Sequence, residues 1–169
     1  MRPRALILSV LACSTVVALD QLSKVYIRES IPQGLIVHVF GRLHLTHIKN
    51  TGLVFGLGQG NVLLPALTSV LILVLIPIVV RYARIHYGYC LSWVEAGSIA
   101  LIAGGAIGNL IDRVTMHHVT DFLLVRLFNE TFWPAFNVAD ASIVSGTILL
   151  ILFILHRDLH NATERTRPA

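Results

Sequence analysis

Charge is what this sequence has least of: Asp, Glu, Lys and Arg make up 13% of its 169 residues, about half the share in an ordinary soluble domain. A chain so short of charge cannot dress a water-facing surface, so water is not its main solvent. Cysteine is scarce as well, at two residues. Cys13 and Cys90 both fall in apolar stretches with no partner in a loop, which excludes a disulfide frame and a thiolate metal site and predicts two buried, inert thiols. No basic run with interleaved aromatics occurs, which excludes nucleic acid as a partner. The formal charge of +4 instead suits arginines meeting anionic lipid.

What the chain does have is apolar length, with 55% hydrophobic residues and a mean hydropathy of +0.75. A hydrocarbon layer roughly 30 Å thick takes about 20 apolar residues as a helix. Four stretches reach that length: 5–26, 62–80, 90–111 and 138–155. The sequence therefore reads as one four-span membrane domain over residues 1–169, with a short connection at 81–89 and long ones at 27–61 and 112–137. An even number of spans puts both termini on one side, together with Arg2, Arg4, Arg81, Arg84, Arg157, Arg165 and Arg167. The positive-inside rule makes that side cytoplasmic, although Lys24, Arg28, Arg42, Lys49, Arg113 and Arg126 lie opposite, in longer loops mixed with acids. Val10-Leu11-Ala12-Cys13 has the form of a lipoprotein cleavage box, but the apolar run continues through Leu19 to a full spanning length.

An ionised Asp at mid-bilayer costs roughly 2.5–3.5 kcal/mol on insertion scales, so each acid in or beside a span requires a partner or a task. Asp20 and Lys24 stand four apart on one face of the first helix, placed either for a structural ion pair or for contact with a substrate. Gly104 and Gly108 form a small-residue surface for close helix packing. Asn109 and Arg113, again four apart, sit beside Asp112 at the end of the third span, where an amide and a permanent cation hold either a carbonyl or carboxylate or a lipid phosphate. Asp121 lies in the second outer loop and Asp140 opens the fourth helix. Taken alone, they read as an ordinary loop acid and a complement to the helix dipole.

Asn50-Thr51-Gly52 is turn chemistry ahead of apolar Leu53, Val54 and Phe55. Residues 35–39 and 43–48, around Gly41, predict an outer strand pair. His44 with His47, and His117 with His118, lack the carboxylates and helical spacing of a zinc peptidase, so no metal is expected. Phe122, Leu123, Leu124, Phe128, Phe132, Trp133 and Phe136 make the second outer loop unusually apolar, suited to resting in the membrane interface beside a substrate or to anchoring the loop.

The set resembles signal peptidase II, the bacterial prolipoprotein signal peptidase family. The resemblance rests on Asp20-Gln21-Leu22-Ser23-Lys24, Asn50-Thr51-Gly52 with Phe55, Gly104-Gly105 through Gly108-Asn109 to Asp112-Arg113, Val119-Thr120-Asp121-Phe122, and Phe136-Asn137-Val138-Ala139-Asp140. It implies an all-α integral membrane fold of four transmembrane helices with a small outer β cradle. It also implies a catalytic pair at Asp121 and Asp140, substrate-facing roles for Asn50, Gly52, Asn109, Arg113 and Asn137, and supporting roles for Asp20, Lys24, Gly104, Gly108 and Asp112. Leu53-Val54 departs mildly from the family, where smaller residues are common before the phenylalanine.

The implied substrate is a prolipoprotein cut just before a cysteine carrying a diacylglyceryl group, at the outer face of a bacterial inner membrane. Membrane lipid is then the other partner, the chain is expected to work as a monomer, and no cofactor is called for. Two carboxylates close together cannot both ionise readily, so one keeps a proton and polarises the carbonyl while the other activates water. A small transporter or proton relay is the alternative. Its acids should spread through the depth of the bundle, whereas Asp20, Asp112, Asp121 and Asp140 gather near one face.

Overall fold

The computed structural model describes residues 3–52, 63–128 and 131–165, with side chains described from 6 to 159 within them. Along the chain come α1 (Pro3–Ser30), β1 (Ile36–Phe40), β2 (Leu43–Asn50), α2 (Leu63–Tyr87), α3 (Trp93–Met116), β3 (Val119–Val125) and α4 (Val138–Arg165). Among the described residues, four helical segments are long and apolar enough to cross a bilayer: Leu6–Ser30, Leu63–Tyr87, Trp93–Met116 and Val138–Leu159. Three of them bury only 11% of their most apolar stretch against protein. The rest of that apolar surface faces outward, as it does when the solvent is hydrocarbon. The third, α3, is 50% buried, and it is the hub: α1, α4 and α2 all pack on it.

Glycines let α3 take this place. A Cβ at Gly104 would lie 2.9 Å from the Cys13 carbonyl oxygen and from Val16 Cβ on α1, and one at Gly108 would lie 2.6 Å from Asp20 Oδ2. A Cβ at Gly105 would run into the Ala139 carbonyl oxygen at the start of α4. That neighbour is backbone and cannot rotate away. Gly105→Ala should therefore cost about 1–3 kcal/mol of stability through overpacking, read as an earlier thermal unfolding transition in micelles, whereas Gly97→Ala, where a Cβ meets nothing within 4 Å, should leave it in place.

The start of α3 is set by a reciprocal cap. Ser92 Oγ accepts the Glu95 amide while Glu95 accepts the Ser92 amide. Glu95 is buried, takes the Tyr89 hydroxyl and pairs at 3.1 Å with Arg157 of α4, whose guanidinium lies 5.0 Å from the Tyr89 ring centre. This clamp ties the first turn of α3 to the far end of α4. The cap also places Cys90 before the helix and exposed, which corrects the expectation of a buried thiol inside a span. Cys13 is partly buried within α1.

The outer strand pair is part of a three-stranded antiparallel sheet, β1-β2-β3. Asp121 thus belongs to a strand and not to a loop. Ile48 pairs with Asp121 and Asn50 with Val119. On its other side β3 is bridged by Leu123 to Phe136, which carries the chain straight into α4. Phe122 packs with Ile27 and Ile31 of α1 beneath the sheet. So Phe122 and Leu124 are buried, while Phe128 and Trp133 remain exposed as the aromatics available to an interface. His44 Nδ1 and His47 Nδ1 turn to separate carbonyls, those of Arg42 and Ile31. Leu53, Val54 and Phe55 lie outside the described residues.

Candidate active site

The site is assembled at the N-terminus of α4. Asn137 precedes the helix, its Oδ1 accepts the Asp140 amide at 2.9 Å, and its own amide donates to Asp140 Oδ2 at 3.2 Å. This is a capping box with aspartate at the third helical position. Asp20 Oδ1 takes the neighbouring Ala139 amide at 2.9 Å. Two amides that the helix itself cannot satisfy are thereby paired, and the positive end of the helix dipole faces carboxylates. Asp140 does complement the dipole, then, but it does more than that.

Its second oxygen reaches across to α3, where Asn109 Nδ2 donates to Asp140 Oδ1 at 2.7 Å. On the sheet side, Asp121 receives Asn50 Nδ2 on Oδ2 at 2.8 Å and Asn137 Nδ2 on Oδ1 at 2.7 Å. Asn137 therefore serves both acids, Asp121 through its side chain and Asp140 through its main chain. Gly52 donates its amide to Asn50 Oδ1 at 2.9 Å, and this turn leaves the NH2 end of Asn50 for Asp121. Asp121 is buried, whereas Asp140, Asn50 and Arg113 are only partly so; these three mark the open side. Arg113 Nη1 donates to Ser69 Oγ of α2 at 3.3 Å, and its charge acts on Asp140, Asp121 and Asp112.

Beneath the two acids lies an ion cluster with no exposure. Lys24 Nζ donates to Asp20 Oδ2 at 2.7 Å, to Asn109 Oδ1 at 3.0 Å and to Asp112 Oδ2 at 3.2 Å. Asp112 also takes the Thr120 amide at 3.1 Å, fastening the start of β3 to the end of α3. Gln21 Nε2 reaches Asp112 Oδ1 and the Gly108 carbonyl, each at 3.1 Å. Arg28 donates to Thr120 Oγ1 at 3.1 Å.

Of the residues singled out in the sequence, Asp20, Lys24, Asn50, Gly52, Gly108, Asn109, Asp112, Arg113, Asp121, Asn137 and Asp140 meet in this one network. Gly104 stands apart against α1. Gln21, Thr120, Arg28 and Ser69 belong to the network and were not singled out by role. Gln21 and Thr120 lay inside the quoted motifs; Arg28 and Ser69 gave no signal beyond their polarity.

The Asp121 carboxyl is pushed up to about 7 by burial first and by the charge of Asp140 second, against the pull of the Asn50 and Asn137 amides. A folded-state value above the unfolded 3.8 means that folding is helped at low pH and loses that help as pH rises from about 4 through about 7. The thermal transition of the parental protein should therefore fall over that window more steeply than that of Asp121→Asn. Parallel curves would remove Asp121 as the titrating group.

Residues 12–156 match the family model described as Signal peptidase (SPase) II. The chain belongs to the signal peptidase II family. A lipoprotein signal peptidase of Halothermothrix orenii is 36% identical over 153 residues, covering 90% of this chain and 94% of the relative. One of Moorella thermoacetica is 40% identical over 136 residues, covering 80% and 84%. A solved bacterial membrane enzyme superposes with a TM-score of 0.74 at 29% identity over 95% of this chain and 92% of the other. A second does so with a TM-score of 0.70 at 31% identity, over 87% and 92%. With its four spanning helices, this signal peptidase II homologue is a multi-pass bacterial membrane peptidase.

Proposed function

We propose that the chain is an aspartic endopeptidase that removes the signal peptide from diacylglyceryl-modified prolipoproteins, with Asp121 and Asp140 as the catalytic pair. The observation that carries this reading is the Asn137 bridge, which holds a buried carboxyl and a helix-capping carboxylate on two sides of one residue. Asp121, pushed up to about 7, carries the proton in about half of the molecules at neutral pH and in most of them below it, and in that form donates it toward the scissile carbonyl. Asp140 keeps the charge, fed by the Asn109 amide, the Asn137 N–H and the helix dipole, and takes a proton from water. As the amine leaves, the roles exchange.

The asparagines are largely spent on the carboxylates. Among the described residues on the open side, donors that remain for substrate include those of Arg113, which has five N–H groups and a bond to Ser69, and the second amide hydrogen of Asn50. They are suited to holding the substrate main chain in place. The arginines near both termini support a site at the outer face of the inner membrane through the positive-inside rule, a placement that would set exposed Phe128 and Trp133 among lipid headgroups.

The test is cleavage of a diacylglyceryl-modified precursor by the purified chain in vesicles, followed by gel shift and mass spectrometry. A released peptide ending at the residue before the modified cysteine is expected. No cleavage, or cleavage elsewhere in the precursor, would overturn the reading.

A further inference from the structure

Lys24 has no exposure, lies outside the reacting pair, and has every proton engaged. Its partners share one property: each must be an acceptor, because an ammonium has only donors to offer. For Asp20 and Asp112 that is no constraint. For Asn109 it decides which end of the side chain is which. The two ends of an amide are nearly the same in shape and opposite in polarity. The atom 3.0 Å from Lys24 Nζ has to be Oδ1, and Asn137 Nδ2 donates to that same oxygen at 3.2 Å. The remaining end, Nδ2, is thereby turned onto Asp140 Oδ1 at 2.7 Å.

We propose that Lys24 is a positioning residue for the reaction: held between Asp20 and Asp112, it locks the Asn109 amide with its donor end toward Asp140. This rests on the reading that Asp140 is one of the reacting carboxylates. Without Lys24, Asn109 Oδ1 keeps only the Asn137 Nδ2 donor at 3.2 Å, and the amide turns more readily to present a carbonyl to Asp140, replacing a charge-assisted donor with a repelling dipole. The carboxylate form of Asp140 then loses the donor that keeps it charged and ready to take a proton from water, while Arg113 and the other substrate-facing donors are untouched. Asp20 gives the arrangement a second hold, since its other oxygen caps the Ala139 amide next to Asp140.

The experiment pairs Lys24→Met with Asp112→Asn, which keeps the net charge of the buried cluster at one negative, with Asp112→Asn alone as reference. In reconstituted vesicles kcat should fall roughly tenfold to a hundredfold, the loss of one charge-assisted hydrogen bond, with KM within about twofold. The same pair added to Asn109→Leu should cause no further fall. A parental kcat, or an equal fall in both backgrounds, would overturn the lock.

Asn109→Asp supplies a second route that does not disturb Lys24. It keeps the acceptor for Lys24 but sets a second carboxyl against Asp140 in place of the neutral amide donor, so kcat should fall at least as far, with a lower thermal transition from the like charge. Full activity in that variant would equally overturn the lock. Asp140→Asn, run alongside, separates the two ideas: if it still cleaves, the catalytic pair itself is wrong. If it is dead and the Lys24 variants cleave at the parental rate, only the lock fails.

Discussion

Asp121→Asn and Asp140→Asn should each abolish prolipoprotein cleavage, with kcat down by a factor on the order of a thousand or more, and should do so in protein that remains folded. The size follows from the division of labour. Removing either carboxyl takes away the complementary proton transfer, since among the described residues the side chains bonded to the pair are amides, which neither give nor take a proton near neutral pH, and the nearby Asp20 and Asp112 are held by Lys24. The folded state survives because neutralising a carboxyl that burial disfavours relieves a cost. The two losses should also be non-additive: the double variant should be no slower than either single one, as expected of residues that act as a unit. Cleavage of the lipidated precursor by gel shift, with the thermal transition recorded on the same samples, checks both parts. Independent, multiplying losses would mean that the acids act at separate steps.

Lys24→Met alone should be the most destabilising single change in the chain's outer half. It strips the shared cation from Asp20 and Asp112, both without exposure, and leaves two like charges in a dry site. Breaking a buried ion pair by removing one partner costs roughly 3–5 kcal/mol. Here the damage extends to the Ala139 amide that Asp20 caps and the Thr120 amide that Asp112 holds, so α4 and β3 should both loosen. Adding Asp112→Asn should recover part of the loss, because one unpaired carboxylate is then gone. Thermal unfolding in micelles reads the effect. A parental transition for Lys24→Met would show that the ion cluster contributes nothing net to stability.

Most of the site was legible because polar residues are conspicuous in a chain that is otherwise apolar. Asp20 with Lys24, and Asn109 with Arg113, announced shared helix faces through their spacing of four. Asp121 and Asp140 were visible only as acids near the same membrane face, and the family resemblance joined them. The strand character of Asp121 was hidden. Val119–Val125 is a short, nearly continuous apolar run with no alternation to mark it, and Asp121's partner Asn50 lies 71 residues away. The Glu95 to Arg157 clamp spans 62 residues and was missed for the same reason. Cys90 was misplaced although the correcting signal was present, since Ser92 followed three residues on by Glu95 is a helix-start pattern. The role of Lys24 in orienting Asn109 depends on which atoms meet, and no spacing encodes that.

The claim that two aspartic acids share a single proton is tested most directly by the pH dependence of kcat/KM on a lipidated precursor. A bell is expected: activity lost on the acid side when the pair takes up its second proton, and lost again as pH rises through about 7, where Asp121 gives up the first. A profile that stays level well above pH 8 would contradict it.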